Sequence, residues 1–164
     1  MTTQRPMPRA RTAPATLPVF RCLLVATDGS RTAQVAVRHA IDLARCCRAR
    51  LHIVNARRSG GAVAATTVET AGLVCHGVEA AVGAQEQLRS SLENLASDLR
   101  GQGLEVAVHC VAGEPADVIV RVAQEQGADL VVVGNRGMHR RVLGSIPNSV
   151  SHRAPCSVLI VRTT

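Results

Sequence analysis

Short, mainly apolar runs alternate along this chain with longer segments whose apolar residues recur every three or four positions. Five such runs lie at residues 19–27, 51–55, 105–111, 130–133 and 157–161. A continuous apolar run of strand length is typical of a strand that is buried on both faces. Strands of this kind need helices on both sides of the sheet. The alternation therefore predicts a doubly wound α/β domain with a mainly parallel, five-stranded sheet.

Helix signals occupy the intervals between these runs. Ser30 follows the first run and is a favourable N-cap for a helix with apolar positions over residues 35–44. Apolar residues repeat at intervals of three and four over residues 78–99. This pattern predicts a long second helix that ends at Gly101 or Gly103.

Two shorter helices and one long connection complete the predicted organisation. Proline suits the first helical position, so Pro115 is expected to open a third helix. A short fourth helix is expected over residues 145–152. Residues 56–77, which are rich in Gly, Ala and Thr, are expected to connect the second strand to the second helix. A connection of that length inside a compact domain is usually functional or mobile.

Arginine supplies all of the positive charge, because the chain contains 19 Arg and no Lys. A Walker-type phosphate loop, a Schiff-base enzyme and a phosphoacceptor receiver domain each need a lysine, so all three are excluded. Phe20 is the one aromatic residue. Proteins that hold single-stranded nucleic acid usually stack its bases on aromatic side chains, so no nucleic-acid partner is expected.

The formal net charge of +7 is concentrated at the two ends of the chain. Residues 1–18 contain three Arg, four Pro and no acid, which predicts a disordered tail before a single domain over residues 19–164. Residues 19–129 contain 11 Arg and all 12 acidic residues. Residues 130–164 contain five Arg and no acid. This distribution favours one local anion site over a broad nucleic-acid surface.

The six cysteines do not indicate a disulfide framework in a chain of this length and apolar content. They are expected to be small, buried residues of a protein in the reducing cytoplasm. No Cys-x-x-Cys pair occurs and the six His lack ligand spacing, so no metal site is expected. No apolar run approaches the ~20 residues that cross a bilayer, and no membrane association is expected.

Two segments follow strands at the edge where a doubly wound sheet binds ligands, residues 27–30 after the first strand and residues 134–145 after the fourth. Glycines in the second segment let the backbone approach an anion closely. Gly144 and Ser145 then begin a helix, whose N-terminal amides attract negative charge. On spacing alone, a phosphate site and an ordinary glycine turn are equal alternatives.

Four segments together resemble the universal stress protein family: LLVATDGS at 23–30, GADLVVVGNRG at 127–137, LGS at 143–145 and HRAPCSVLIV at 152–161. The resemblance extends from about residue 20 to the end of the chain. It implies a Rossmann-like domain with strand order 3-2-1-4-5 and helices on both faces. It also implies a homodimer formed through the C-terminal strand and, in one subgroup, bound ATP or cyclic AMP.

The resemblance further implies a set of nucleotide-binding residues. Asp28 and Val54 would hold the adenine end of the nucleotide, and the glycine motif would hold its ribose and phosphates. The full set comprises Thr27, Asp28, Val54, Gly134, Arg136, Gly137, Gly144 and Ser145.

The glycine motif is three residues shorter than the motif of the nucleotide-binding subgroup. In that subgroup nine residues separate the second glycine from the Gly-Ser or Gly-Thr pair, whereas six residues, 138–143, do so here. Three residues account for about 10 Å of extended chain, so the loop around the phosphates has a different shape. Arg140 and Arg141 either compensate with charge or are solvated loop residues.

The leading prediction is a non-catalytic, cytoplasmic regulatory protein of the stress response that binds an adenine nucleotide, with or without Mg²⁺. No Gly-x-Ser-x-Gly nucleophile motif occurs in the chain. Two alternatives stay open. A nucleotide-free dimeric interaction protein would result if the shortened loop no longer holds phosphate. A slow ATPase would need a general base beside the phosphates, and no acid follows Asp129.

Overall fold

The structure, a computed structural model, describes residues 20–57, 71–135 and 144–163, and the predicted tail at residues 1–18 lies outside them. Strands and helices alternate along the described residues. In chain order they are β1 (Cys22–Ala26), α1 (Arg31–Cys47), β2 (Arg50–Arg57), α2 (Ala71–Gly101), β3 (Val106–Ala112), α3 (Pro115–Gln126), β4 (Leu130–Asn135), α4 (Ser145–Arg153) and β5 (Ser157–Arg162). None of the described helices combines the length and the hydropathy that a membrane span requires.

Neighbouring strands of the sheet are all parallel, and their order is β3-β2-β1-β4-β5. This order confirms the predicted doubly wound, Rossmann-like fold. From the central strand β1 the chain builds outward through β2 and β3 on one side. It then returns to the other side of β1 and builds outward through β4 and β5. The direction of winding therefore reverses between β1 and β4.

The position of β1 explains why its sequence is continuously apolar. Leu23 and Val25 belong to the core beneath α1 and α2. Cys22 and Leu24 belong to a second core, on the face that α3 and α4 cover. All four side chains are at most 2% exposed. A strand with a core on each face cannot alternate apolar and polar residues.

Local signals determine where the helices begin and end. The Ser30 hydroxyl accepts a hydrogen bond from Ala33 N at 3.2 Å and caps α1, as predicted. Pro115 occupies the first turn of α3, and Gly127 ends that helix at φ 62°. Arg48 ends α1 in the same left-handed conformation, at φ 53°, and is the one described non-glycine residue with positive φ.

The bounds predicted for the connection, residues 56–77, are wrong at both ends. Ala56 and Arg57 belong to β2 and pair with β3. Helix α2 begins at Ala71 instead of residue 78. Its first seven residues, AGLVCHG, contain two glycines and no clear apolar stripe, so the residue pattern does not reveal this part of the helix. Residues 58–70 lie outside the described residues.

Two further strand boundaries differ from the predicted ones by more than one residue. Strand β1 begins at Cys22 instead of residue 19. Strand β4 continues through Gly134 to Asn135, and Gly134 pairs with Val161 of β5. The first glycine of the glycine motif is therefore a strand residue and not the start of the following loop.

The prediction that the cysteines are buried is correct only for Cys22 among the five whose side chains are described. Cys46 is exposed on α1. The remaining three, Cys47, Cys110 and Cys156, are half-buried. All five are free thiols. Ala44 lies on the buried side of α1, whereas Cys46 lies on the side that faces solvent. Composition alone does not distinguish these two sides.

We expect Arg48→Gly to raise the free energy of unfolding by roughly 0.5–1 kcal/mol, because a Cβ is strained in the left-handed region and glycine is not. Gly127→Ala is the matched control at the end of α3. Apart from the adjoining residues of the chain, no atom lies within 4 Å of the Cβ that Gly127→Ala adds, so its effect reports backbone strain alone. Gly127→Ala should lower the free energy of unfolding by about 1 kcal/mol. Urea unfolding measures both changes, and destabilisation by Arg48→Gly would contradict the prediction.

Candidate functional site

A cleft of about 310 Å³ opens at the carboxyl ends of the strands, where the winding of the sheet reverses between β1 and β4. Its walls come from the ends of β1, β2 and β4, from the N-terminal parts of α1, α3 and α4, and from Thr163 after β5. Ligands of doubly wound sheets bind at this position, because the crossovers leave the two central strands in opposite directions. The cleft is therefore the candidate functional site.

Six of the eight predicted site residues line this cleft. They are Thr27, Asp28, Val54, Gly134, Gly144 and Ser145. The structure thus brings the segment after β1 and the two ends of the glycine segment to one place, although they are distant in the sequence. Arg136 and Gly137, together with Arg140 and Arg141, lie outside the described residues.

The turn that follows β1 is held by its own hydrogen bonds and by α2. Asp28 Oδ1 accepts a hydrogen bond from Ser30 N at 3.0 Å, and Thr27 Oγ1 accepts one from Gly29 N at 3.1 Å. Gly29 has φ 77°, and an added Cβ would lie 2.7 Å from Leu88 Cδ1 of α2. The positive φ favours glycine here, and a Cβ would also force the Leu88 side chain to shift. This turn places Asp28 at the cleft.

A buried amide joins β1 to β2 beneath this turn. Asn55 is 6% exposed, and its Nδ2 donates to the Thr27 carbonyl at 2.9 Å. Thr27 N donates to the Val54 carbonyl, also at 2.9 Å. Both backbone polar groups of Thr27 are thus bound to β2. These bonds position Thr27 and Val54 in the cleft wall and satisfy polar groups that are shielded from water.

Asn135 organises the opposite wall, at the end of β4. Its carbonyl accepts hydrogen bonds from Thr163 N at 3.2 Å and from Thr163 Oγ1 at 2.8 Å. Its side-chain Oδ1 accepts one from Gly144 N at 3.4 Å. A Cβ added to Gly134 would lie 3.2 Å from Thr163 Cγ2 and 3.5 Å from Ala36 Cβ, so this wall leaves little room for a side chain. Asn135 therefore links β4 both to the residue after β5 and to the start of α4.

Helix α4 points its N-terminus at the cleft. Its N-cap is Gly144, which has no side chain to accept hydrogen bonds from the first-turn amides. Asn148 N already donates to the Gly144 carbonyl at 3.0 Å, and Pro147 has no N–H. The amides of Ser145 and Ile146 and the Ser145 hydroxyl are therefore the donors that this end of the helix offers to an anion.

Apolar side chains form the cleft walls between Asp28 and the N-terminus of α4. They include Val54, Ala56, Ile119, Val133 and Ile146. Asp28 is the one charged side chain among the described residues that line the cleft. A flat apolar group can pack between such walls with its polar edge at Asp28, while an anionic group lies at the N-terminus of α4. The arrangement suits a small ligand with one aromatic and one anionic end.

Comparison with known proteins identifies the family. The family model described as universal stress protein matches residues 20–162 of this chain. The chain belongs to the universal stress protein family. Universal stress protein YxiE of Bacillus subtilis is 33% identical over 151 residues, which cover 88% of this chain and 100% of the relative. A putative universal stress protein of Staphylococcus aureus is 30% identical over 148 residues, which cover 88% and 85% of the two chains.

Solved structures of universal stress proteins share this fold. One is a universal stress protein in complex with cyclic AMP, with a TM-score of 0.63 at 30% identity, covering 88% of this chain and 98% of that chain. The universal stress protein UspA of Lactobacillus plantarum has a TM-score of 0.66 at 23% identity, covering 87% and 97%. The resemblance seen in the sequence is thus confirmed.

Three polar residues of the cleft region were not predicted from the sequence: Asn55, Asn135 and Thr163. Asn55 ends an apolar run, LHIVN, and a polar residue at that position is the one signal that could have drawn attention to it. Asn135 lies between Gly134 and Gly137, and the glycine motif does not specify its position. Thr163 follows the last strand without any motif. Each of the three is identified by a hydrogen bond to a residue that is distant in the sequence, which residue spacing does not specify.

We expect Asn55→Ala to lower the free energy of unfolding by about 1–3 kcal/mol, because the Thr27 carbonyl would lose its buried donor. Asn148→Ala, an exposed asparagine on α4, is the control and should change stability by less than about 0.5 kcal/mol. Urea unfolding followed by circular dichroism measures both variants. Equal effects at the two positions would contradict a structural role for the Asn55 amide.

Proposed function

We propose that this universal stress protein binds an adenine nucleotide, ATP or cyclic AMP, in the cleft between β1 and β4. The observation that carries the proposal is the placement of the predicted residues. Asp28 and Val54, from the ends of β1 and β2, line the same cleft as Gly144 and Ser145, at the start of α4. The proposal is supported by the cyclic AMP complex of a relative that is 30% identical over 88% of this chain.

The adenine is proposed to occupy the end of the cleft formed by β1 and β2. Val54 and Ile119 offer apolar surface to the faces of the base. The Asp28 carboxylate can accept a hydrogen bond from the exocyclic amino group of adenine. Because Asn55 binds the Thr27 carbonyl, this wall is ordered before the ligand arrives. Such preorganisation lowers the entropic cost of binding.

The ribose and phosphates are proposed to occupy the opposite end. The amides of Ser145 and Ile146 and the positive end of the α4 dipole favour an anionic group there. Arg136 and Gly137, which lie outside the described residues, are proposed to complete the phosphate contacts. A Mg²⁺ ion bound with ATP would be held chiefly by the phosphates, since Asp28 is the one carboxylate among the described lining residues.

We propose a regulatory, non-catalytic role in the stress response, in the cytoplasm. A nucleotide regulates a protein when it binds one conformational state more tightly than another. A ligand in this cleft would contact β1 and β2 on one side and β4 and α4 on the other, and so link the two halves of the sheet. Hydrolysis is not proposed, because no histidine and no second carboxylate lies among the described lining residues to act as a general base at α4.

Strand β5 is proposed to form a homodimer. It is an edge strand that pairs with β4 among the described strands, and its Val158, Leu159 and Ile160 are half-buried. Such an edge can pair with a second copy of the same strand. The same surface supports the alternative function, a nucleotide-free dimeric interaction protein in which the shortened glycine motif no longer holds phosphate.

Calorimetry with ATP, ADP, AMP and cyclic AMP at up to millimolar concentration tests nucleotide binding. We expect at least one of the four to bind, and GTP to bind at least tenfold more weakly than that nucleotide. Mass spectrometry of denatured, freshly purified protein should detect any nucleotide that co-purifies. Absence of binding by all four would favour the interaction protein. Reinsertion of three residues after Met138 would then show whether the shortening abolished an earlier site.

We expect Asp28→Ala to weaken adenine nucleotide binding by about 10- to 100-fold, because a hydrogen bond to a charged group contributes roughly 1.5–3 kcal/mol. Asp42→Ala, another exposed acid, on α1 and outside the cleft lining, is the matched control and should leave the affinity unchanged. Calorimetric titration of the three proteins measures the difference. An unchanged affinity in Asp28→Ala would contradict the assignment of the adenine end.

We expect sedimentation equilibrium to give about twice the chain mass of 17.3 kDa, as a β5 homodimer requires. Ile160→Lys should shift the protein to the monomer, because pairing with a second β5 would bury an ammonium beside this half-buried position. Ser157→Lys, at the exposed start of the same strand, is the matched control and should stay dimeric. Circular dichroism verifies that both variants fold. A wild-type protein that sediments as a monomer would contradict the proposal.

A further inference from the structure

Two histidines that are far apart in the sequence meet on neighbouring strands. His52 Nδ1 of β2 and His109 Nε2 of β3 lie 2.9 Å apart, and the ring centres are 5.2 Å apart with the planes inclined by 27°. The distance between ring centres is the nitrogen–nitrogen distance plus about one ring radius on each side. Both nitrogens therefore lie on the line between the rings. The contact is an in-line N–H···N hydrogen bond and not a face-to-face stack.

This hydrogen bond exists in only some protonation states of the pair. One of the two facing nitrogens must carry a hydrogen, and the other must offer a lone pair. A neutral pair meets this requirement, and so does a pair with one extra proton, in which the bond is charge-assisted. When both rings are protonated, two N–H groups face each other. The bond is then lost and two like charges are left side by side.

The surroundings oppose charge on both rings. Burial lowers the pKa of His52, and the neighbouring His109 and Arg50 lower it further, against the opposite influence of Glu105 just before β3. Burial also lowers the pKa of His109, against the opposite influence of Glu125 on α3. His52 is 7% exposed, so little water can solvate a charge there.

The histidine pair lies beside Val54, which lines the cleft. His52 and Val54 are two residues apart on β2, so their side chains face the same side of the sheet. That side is the α3 face, since Val54 packs in the core beneath α3 and α4. His109 is the Cα partner of Val54 in the β2–β3 ladder, and Val54 lines the cleft. A displacement of the pair therefore acts on the cleft wall.

We propose that the His52–His109 hydrogen bond is an acid-sensitive contact, which holds β2 to β3 beside the cleft and breaks when both rings are protonated. In the folded protein both histidines have a pKa below the ordinary value of 6.5. The unfolded chain therefore binds more protons than the folded chain as the pH falls through 6.5. The stability that the two histidines contribute is therefore fully present above pH 6.5 and is lost progressively as the pH falls below it. The effect on a bound nucleotide rests on the proposed function.

Thermal unfolding at pH 7.5 and pH 5.0 tests the contact in the full chain. His109→Gln places an amide near the position of Nε2 and can bond His52 without titrating. His39→Gln removes an exposed histidine on α1 and is the matched control. We expect the melting temperature of wild type and of the control to fall about 3 °C further than that of His109→Gln. An equal fall in all three proteins would overturn the proposal.

Nuclear magnetic resonance of the ring nitrogens measures the titration of His52 and His109 directly, and a purely structural role of the pair would not produce coupled titration. We expect His52 and His109 to titrate in two coupled steps in the wild type. In His109→Gln, His52 should titrate in one step. Independent single-step titration of the two rings in the wild type would overturn the proposal, whatever the stability of the variant.

The affinity for an adenine nucleotide at pH 7.5 and pH 5.5 tests the link to the cleft. Comparison with His39→Gln cancels titration of the nucleotide itself. We expect the wild type and this control to lose about fivefold more affinity at pH 5.5 than His109→Gln loses. Equal losses would overturn the link to the cleft. If no adenine nucleotide binds at pH 7.5, the proposed function fails, whereas the histidine contact is still decided by unfolding and by nuclear magnetic resonance.

Discussion

Burial of β1 on both faces is the constraint on which the rest of this structure depends. Parallel neighbours of a strand can be reached only through crossovers, and two cores need helices on both sides of the sheet. All strands therefore end at one edge, and the crossovers leave β1 in opposite directions. The cleft lies where they separate. Its position thus follows from the way β1 is buried and not from any residue that lines it.

Asn55 and Thr163, which were not predicted to contact a ligand, hold the two walls of the cleft in place. Asn55 binds the carbonyl of Thr27 at the end of β1, and Thr163 binds the carbonyl of Asn135 at the end of β4. Each contact attaches a wall of the cleft to a neighbouring strand of the sheet or to the residue that follows it. The α4 N-terminus is attached to the same framework through Asn135 and Gly144. Asp28, after β1, and Ser145, at the start of α4, thereby line one cleft.

Sequence reasoning succeeded where the signal is local. The cap at Ser30, the proline that opens α3 and the glycine that ends it depend on residues within one turn of the chain. It failed at the start of α2, because seven residues with two glycines carry no periodic apolar stripe. It also failed for Cys46, whose exposure depends on which side of α1 meets the sheet. Six predicted site residues line the cleft because motif and strand ends coincide.

By itself, the sequence determined that strands and helices alternate, that the sheet is parallel and covered on both faces, and which strand ends carry Asp28 and the glycine segment. Only the tertiary structure decided which polar side chains meet across strands. His52 contacts His109 because β2 and β3 pair in one particular register, and Asn55 reaches Thr27 because β2 lies beside β1. Periodicity specifies the face on which a side chain lies. The neighbour that it meets there is set by strand order and register.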